Sequence, residues 1–280
     1  MYSSKRYFTE LVIFALIGTL LLPSVSFAAI SVGTPQLNAT AVNPGGSFAV
    51  TANISDESNT SIKSANITCV GSGGVEGVDG WDSYTLQNGS LAWNALDLTT
   101  MEVSGAVTLN TSSINGTWTC TDYGYNATDD SASASNNSLG ISTRVGIILS
   151  QSTCTYSSGN PGSTNNAWTC GGSAYDRITQ DGNIGTTITV NGTDLTGQTD
   201  ASWLIAAGNV SYTNVTAGSA APSPPGILRL SLAVANTVVS WSRGTYPSKG
   251  ALDLYAWLDY PSPLKAQTYQ GTMTLLASGG

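Results

Sequence analysis

No histidine occurs among the 280 residues of the chain, and that one absence removes Ser-His-Asp and Cys-His nucleophilic catalysis. Ser262-Pro-Leu-Lys265 has the Ser-x-x-Lys spacing in which a lysine amine can take a serine proton. That chemistry needs the serine at a helix start with partner motifs nearby, and here the serine falls in a proline-rich loop ahead of the last strand. Paired carboxylates serve glycoside hydrolysis, but aspartates are scattered and Glu57 and Glu102 lie in no recognisable motif. Asp129-Asp130 and Asp181-Gly-Asn183 are short oxygen clusters of the sort that hold calcium or, more commonly, close turns. The sequence therefore assigns no catalytic residue, metal ligand or cofactor.

Cys69, Cys120, Cys154 and Cys170 have no Cys-x-x-Cys spacing and no histidine to complete a tetrahedral metal set. An even number of cysteines in an exported chain reads as two disulfides. Three pairings are possible. Cys69 with Cys120 and Cys154 with Cys170 is preferred, because each bridge then stays within one half of the chain.

Two patterns concern recognition. Asn-x-Ser/Thr, the acceptor motif for N-linked sugars, occurs twelve times: at Asn38, Asn53, Asn59, Asn66, Asn88, Asn110, Asn115, Asn126, Asn136, Asn191, Asn209 and Asn214. Composition alone gives roughly five such motifs. On a period-two reading Asn53, Asn66 and Asn110 face outward, where a glycan is sterically allowed. Tyr255 and Trp257 alternate with Leu252, Leu254, Ala256 and Leu258, so the two aromatics share the face opposite the core. An open face, flanked by Asp253 and Asp259, would be a flat platform for sugar rings; a closed one would pack on the other half or on another subunit.

The elements that must position these residues are strands. Phe48, Val50, Ala52 and Ile54 alternate with Ala49, Thr51, Asn53 and Ser55 after the turn Asn43-Pro-Gly-Gly46. Ala65, Ile67 and Cys69 repeat the pattern, as do Val107 and Leu109, and Trp118 and Cys120 fall together on a buried face. In the second half Ile188 and Val190 lead into a turn at Asn191-Gly192. Leu228, Leu230, Leu232 and Val234 read as one strand, and Tyr269, Gly271, Met273 and Leu275 as the last. Residues 129–137 read as a final strand of the first half, a linker, or one running into the other.

Lys5 and Arg6 precede an apolar run from Leu11 to Leu22 and then small residues, the order of a Sec signal peptide ending at residue 28; an uncleaved membrane anchor is the competing reading. The remaining residues divide near Ser142 into 29–142 and 143–280. The chain carries 9 basic and 17 acidic residues, a net charge of -8, which excludes a nucleic-acid footprint and disfavours anionic membranes. Only 9% of residues are charged, so fold and solubility are expected to change little with pH.

Asn38-Ala-Thr-Ala-Val-Asn-Pro-Gly-Gly-Ser-Phe-Ala-Val-Thr-Ala-Asn-Ile-Ser-Asp56 resembles the opening strands of immunoglobulin-like modules in archaeal and bacterial surface proteins, and Gly116-Thr-Trp-Thr-Cys-Thr-Asp122 resembles their penultimate strand. Pro261-Ser-Pro-Leu-Lys-Ala-Gln-Thr-Tyr-Gln-Gly-Thr-Met-Thr-Leu275 is similar to their closing hairpin, with Gln267 where that loop commonly has glycine. The resemblance implies an all-β chain of two tandem immunoglobulin-like β-sandwich domains after a signal peptide. It implies a non-catalytic secreted or cell-surface role in structure or adhesion, with surface proteins or glycans as partners. Self-assembly is a further option, with residues 30–40 as a strand donated to a neighbour's open edge.

Overall fold

The computed structural model describes residues 30–57, 61–74, 81–127, 130–225, 228–232, 235–243 and 249–279. Residues 1–28, expected as a signal peptide, and Asn59, Asp129 and Val234 lie outside the described residues. The fold is all-β. Two five-stranded sheets carry the first half. One has the order Ile30–Val32, Ser47–Asp56, Thr100–Thr108, Ala92–Ala95, with Gln36–Leu37 also on Ser47–Asp56; the other runs Ala41–Val42, Ser131–Ile141, Gly116–Asn126, Ile62–Gly71, Ser83–Leu86.

Alternation explains why these segments are strands that sandwich one core. Phe48, Val50, Ala52 and Ile54 from the first sheet meet Ala65, Ile67, Cys69, Trp118, Cys120, Leu139 and Ile141 from the second in a single buried cluster. The Asn43–Gly46 turn closes as expected, with the Gly46 N–H donating to the Asn43 carbonyl at 2.8 Å and Gly45 at φ +84°. Trp118 is seated by a donated bond from Nε1 to the Ile114 carbonyl at 2.8 Å. Gly71 is required beside it, because a Cβ there would run into Ile114 and lie 2.9 Å from the indole nitrogen. Ile30–Val32 and Gln36–Leu37 pair with Ser47–Asp56 of their own chain. The segment expected as a donor strand is thus already seated at home.

The second half builds a seven-stranded sheet around Ala251–Leu258, with smaller three-stranded sheets around Thr186–Gly192 and Leu195–Gly197. Its core gathers Trp168, Ile178, Ile188, Val190, Ile205, Tyr212, Leu252, Leu254, Ala256 and Leu258. No described strand pairing crosses residues 142–146.

Several local expectations need correction. Asn191-Gly192 is the end of a strand, Thr186–Gly192, and the chain turns after it; pairing with Met273–Gly279 continues through Gly192 and outweighs the turn preference of the dipeptide. Leu228–Arg229 is only two residues long, and Leu232 is 57% exposed. Tyr269–Gln270 and Met273–Gly279 are separate strands in different sheets. The break falls at Gly271, where a Cβ would stand 3.0 Å from the Asp194 carbonyl oxygen.

Both disulfides pair as preferred, Cys69 with Cys120 and Cys154 with Cys170. Each joins directly opposed residues of neighbouring strands in one sheet. The immunoglobulin bridge spans two sheets, so the likeness stops at the sandwich.

Side chains also link the two cores. Asn183, fully buried, donates from Nδ2 to the carbonyls of Ser113 and Ser142 at 2.9 Å each and accepts from the Arg144 N–H at 2.7 Å. Asp181 accepts from the Thr111 hydroxyl at 2.6 Å and the Arg144 guanidinium at 2.7 Å. Arg243 pairs with Asp82 at 3.1 Å.

Candidate functional site

The Ser-x-x-Lys pattern assembles no catalytic pair. The Lys265 ammonium donates to Asp200 at 2.9 Å, and Asp200, bonded first by the Ser202 hydroxyl and then by Lys265, is held down at about 2. Gln267, the departure in the closing loop, has a role no sequence pattern announced: its Oε1 accepts from the N–H groups of Thr199 and Asp200 at 3.0 and 2.9 Å. Asp181-Gly-Asn183 is consumed by the contacts between the two cores. Burial alone would raise the Asp181 carboxyl, but the Thr111 hydroxyl and the Arg144 and Lys249 cations outweigh it and hold the group low. Among the described residues no cluster has a metal-binding arrangement.

The aromatic platform at Tyr255 and Trp257 is corrected. Both side chains stand opposite the core as alternation requires, and their rings stack at 6.3 Å and 15°. Yet each is only 5% exposed. Their strand is central, flanked along its length by Val210–Thr216 on one side and by Asp176–Gln180 and Asn166–Cys170 on the other. Tyr175 adds a ring 5.6 Å from Tyr255. The flanking acids serve the fold as well. Asp253 takes a two-point bond from Arg177 at 2.8 and 3.0 Å, which with the Gly218 N–H keeps its carboxyl low despite burial. Asp259 accepts from the Asn165 N–H and from Arg229. Period two tells which face a side chain takes; it does not tell whether that face is covered.

The sugar-acceptor asparagines separate by what their carboxamides do. Asn53 is exposed on its strand and Asn66 half-buried on another; among the described residues neither carboxamide has a hydrogen-bond partner. Asn38 and Asn88 are exposed and use only the acceptor oxygen, toward the N–H groups of Ala49 and Ala65. Asn110 departs from expectation: its strand ends at Thr108, and its Oδ1 closes the following turn by accepting from the Ser112 N–H at 3.0 Å. Asn126 is 1% exposed, with its Nδ2 donating to Asp130 at 3.3 Å, and the Asn136 Nδ2 donates to the Pro35 carbonyl at 2.8 Å. A bulky substituent at Asn126 would have to break the strand end. Asn115, Asn191, Asn209 and Asn214 are half-buried.

A hydroxyl-lined outer face follows from simple alternation in Gly116–Asn126. If Trp118 and Cys120 point inward on Gly116–Asn126, then Thr117, Thr119, Thr121, Tyr123 and Tyr125 point outward, and the structure places them so. Hydroxyls pair across neighbouring strands: Thr121 with Ser135 at 2.8 Å, Thr68 with Thr85 at 3.4 Å, Ser47 with Thr108 at 2.9 Å and Ser55 with Thr100 at 3.1 Å. These pairs occupy positions where ion pairs often stand on sheet surfaces.

The described residues thus define a class: an all-β, doubly disulfide-bonded protein with outer sheet faces built largely from hydroxyls and amides. No protein-family model matches the chain, and no curated protein is significantly similar to it. Among solved structures, the adhesin InvE of Yersinia pseudotuberculosis aligns at 11% identity over 87% of this chain and 55% of that one, TM-score 0.26. A DUF4785 family protein of Legionella pneumophila aligns at 7% identity over 88% and 47%, TM-score 0.25. A DUF4466 family protein of Parabacteroides merdae aligns at 7% identity over 82% and 99%, TM-score 0.28. The chain spans about half the length of the first two. TM-scores this low fix neither a shared topology nor a shared role.

Proposed function

We propose that the chain is a non-catalytic protein of the cell exterior with a structural or adhesive role, exported by the Sec route and N-glycosylated. On this reading residues 29–142 and 143–280 are its two β-sandwich domains, and its partners are other surface proteins or glycans. The observation that carries the reading is the outer face of the first half. Cross-strand Ser/Thr pairs lie on both of its sheets, and the carboxamides of Asn53 and Asn66, one on each sheet, have no hydrogen-bond partner among the described residues. Such a surface has few charges to keep it soluble, and attached sugars would hydrate it. Two disulfides fit an oxidising compartment.

Intact mass and N-terminal sequencing of protein recovered from outside the native host cell test the reading together. It expects a chain starting at Ala29 that is heavier than the bare polypeptide. A mass equal to the unmodified chain ends the glycosylation claim, and recovery only from the cytoplasm ends the export claim.

A further inference from the structure

Asn66 sits directly across from Tyr123 in the antiparallel pairing of Ile62–Gly71 with Gly116–Asn126. On the far side of that ring lies Ser133, and the next row along the sheet is Ser64, Tyr125, Ser131. The residues directly opposite the two half-buried rings, Asn66 and Ser133 for Tyr123 and Ser64 and Ser131 for Tyr125, are small and uncharged. Directly opposed residues on one sheet face have Cβ atoms about 4.5–5.5 Å apart, so a sugar ring on the Asn66 Nδ2 is placed beside the Tyr123 ring by covalent attachment alone. A pyranose has one face lined by polarised C–H groups, and an aromatic ring presents a negative face to them. Tethering supplies the contact without a bimolecular cost.

Building on the glycosylation reading, we infer that Asn66 and Tyr123 form a unit in which the first sugar of the Asn66 glycan packs on the tyrosine ring, so that the glycan stiffens this sheet as well as hydrating it. Asn53 supplies the internal contrast. Its opposite number is Glu102, which offers a carboxylate and no ring, so a sugar there extends into solvent.

The test uses the full chain secreted from a eukaryotic cell line, with glycans trimmed enzymatically to a single N-acetylglucosamine and occupancy of Asn66 read by peptide mass mapping. Melting temperatures are compared for the parent, Asn66→Gln, Tyr123→Ser and the double variant, and for the same four proteins made without glycosylation. Loss of the Asn66 sugar should lower Tm by on the order of 3 °C when Tyr123 is present and leave it unchanged when the ring is gone. The unglycosylated set should show no such coupling. Tyr123→Phe should keep the coupling, and Tyr123→Thr, a strand-favouring residue without a ring, carries the test if Tyr123→Ser does not fold. Asn53→Gln should be indifferent to Tyr123. Full occupancy of Asn66 without coupling overturns this inference alone. An unoccupied Asn66 overturns it together with glycosylation at that site.

Discussion

Replacing Asp122 by asparagine should raise stability at neutral pH and leave it little changed, or lowered, in acid. Asp122 lies on the inward face of Gly116–Asn126, in line with Trp118, Cys120, Gly124 and Asn126; its own pairing partners on the neighbouring strands are Ile67 and Ala134. It is fully buried, and among the described residues neither carboxylate oxygen has a side-chain hydrogen-bond partner. Loss of hydration raises its carboxyl from 3.8 to about 6, with the Tyr123 N–H opposing weakly. A carboxyl raised in the folded state makes folding take up protons between those two values. Its stabilising protonated form is therefore fully available below about pH 4 and is lost as pH rises through 6. The loss is about 3 kcal/mol, from roughly 1.4 kcal/mol for each tenfold change in proton affinity. Asparagine keeps the shape and removes the titration. Its own buried amide also lacks partners, costing about 1–3 kcal/mol at every pH. The diagnostic quantity is therefore the difference between variant and parent, which should move by about 3 kcal/mol in the variant's favour from pH 4 to pH 7.5. Denaturant unfolding with the disulfides intact, followed by tryptophan fluorescence at several pH values, measures it. A difference independent of pH would refute the assignment of a raised carboxyl to Asp122.

Asn183→Ala should cost about 3 kcal/mol, because it leaves the Ser113 and Ser142 carbonyls and the Arg144 N–H without their buried partner; chemical denaturation reads the loss. Trp257→Ala should destabilise by about 3–5 kcal/mol as a cavity in a covered sheet face, and glycan-array binding should follow the folded fraction and nothing else. Removing Cys69–Cys120, which closes a separation of 51 residues, should cost about 4 kcal/mol by chain entropy, and removing Cys154–Cys170, across 16, about 3 kcal/mol. Paired Cys→Ala variants compared by calorimetry would expose a reversed order.

What was legible in the sequence was what period two encodes. Phe48 to Ile54, Ala65 to Cys69 and Trp118 with Cys120 face the core because strand geometry leaves them no other side. The disulfide pairing was legible because each bridge closes within one set of sheets. Coverage was not: Tyr255 and Trp257 take the expected face, but it is closed, each ring being 5% exposed and packed on the other or on Tyr175. Nor was competition between local and long-range pairing. Asn191-Gly192 is a turn dipeptide drawn into a strand, and Asn110 is a strand residue by pattern that closes a turn by hydrogen bonding. The expected indifference to pH rested on how few groups titrate. A single buried acid without a side-chain partner among the described residues outweighs a short count; period two puts Asp122 on the face of Trp118 and Cys120 but does not tell what its carboxylate meets there.

The two disulfides also limit how far the chain can be drawn out. Pulled from its ends, a strand protein lengthens by about 3.5 Å for each residue released. The 51-residue interval between Cys69 and Cys120 and the 16-residue interval between Cys154 and Cys170 stay looped behind their bridges. About 180 Å and about 55 Å of contour are thereby withheld from extension. A chain bridged in this way yields in short steps under tension, and reduction of either bridge would appear as a sudden gain in reach at constant load.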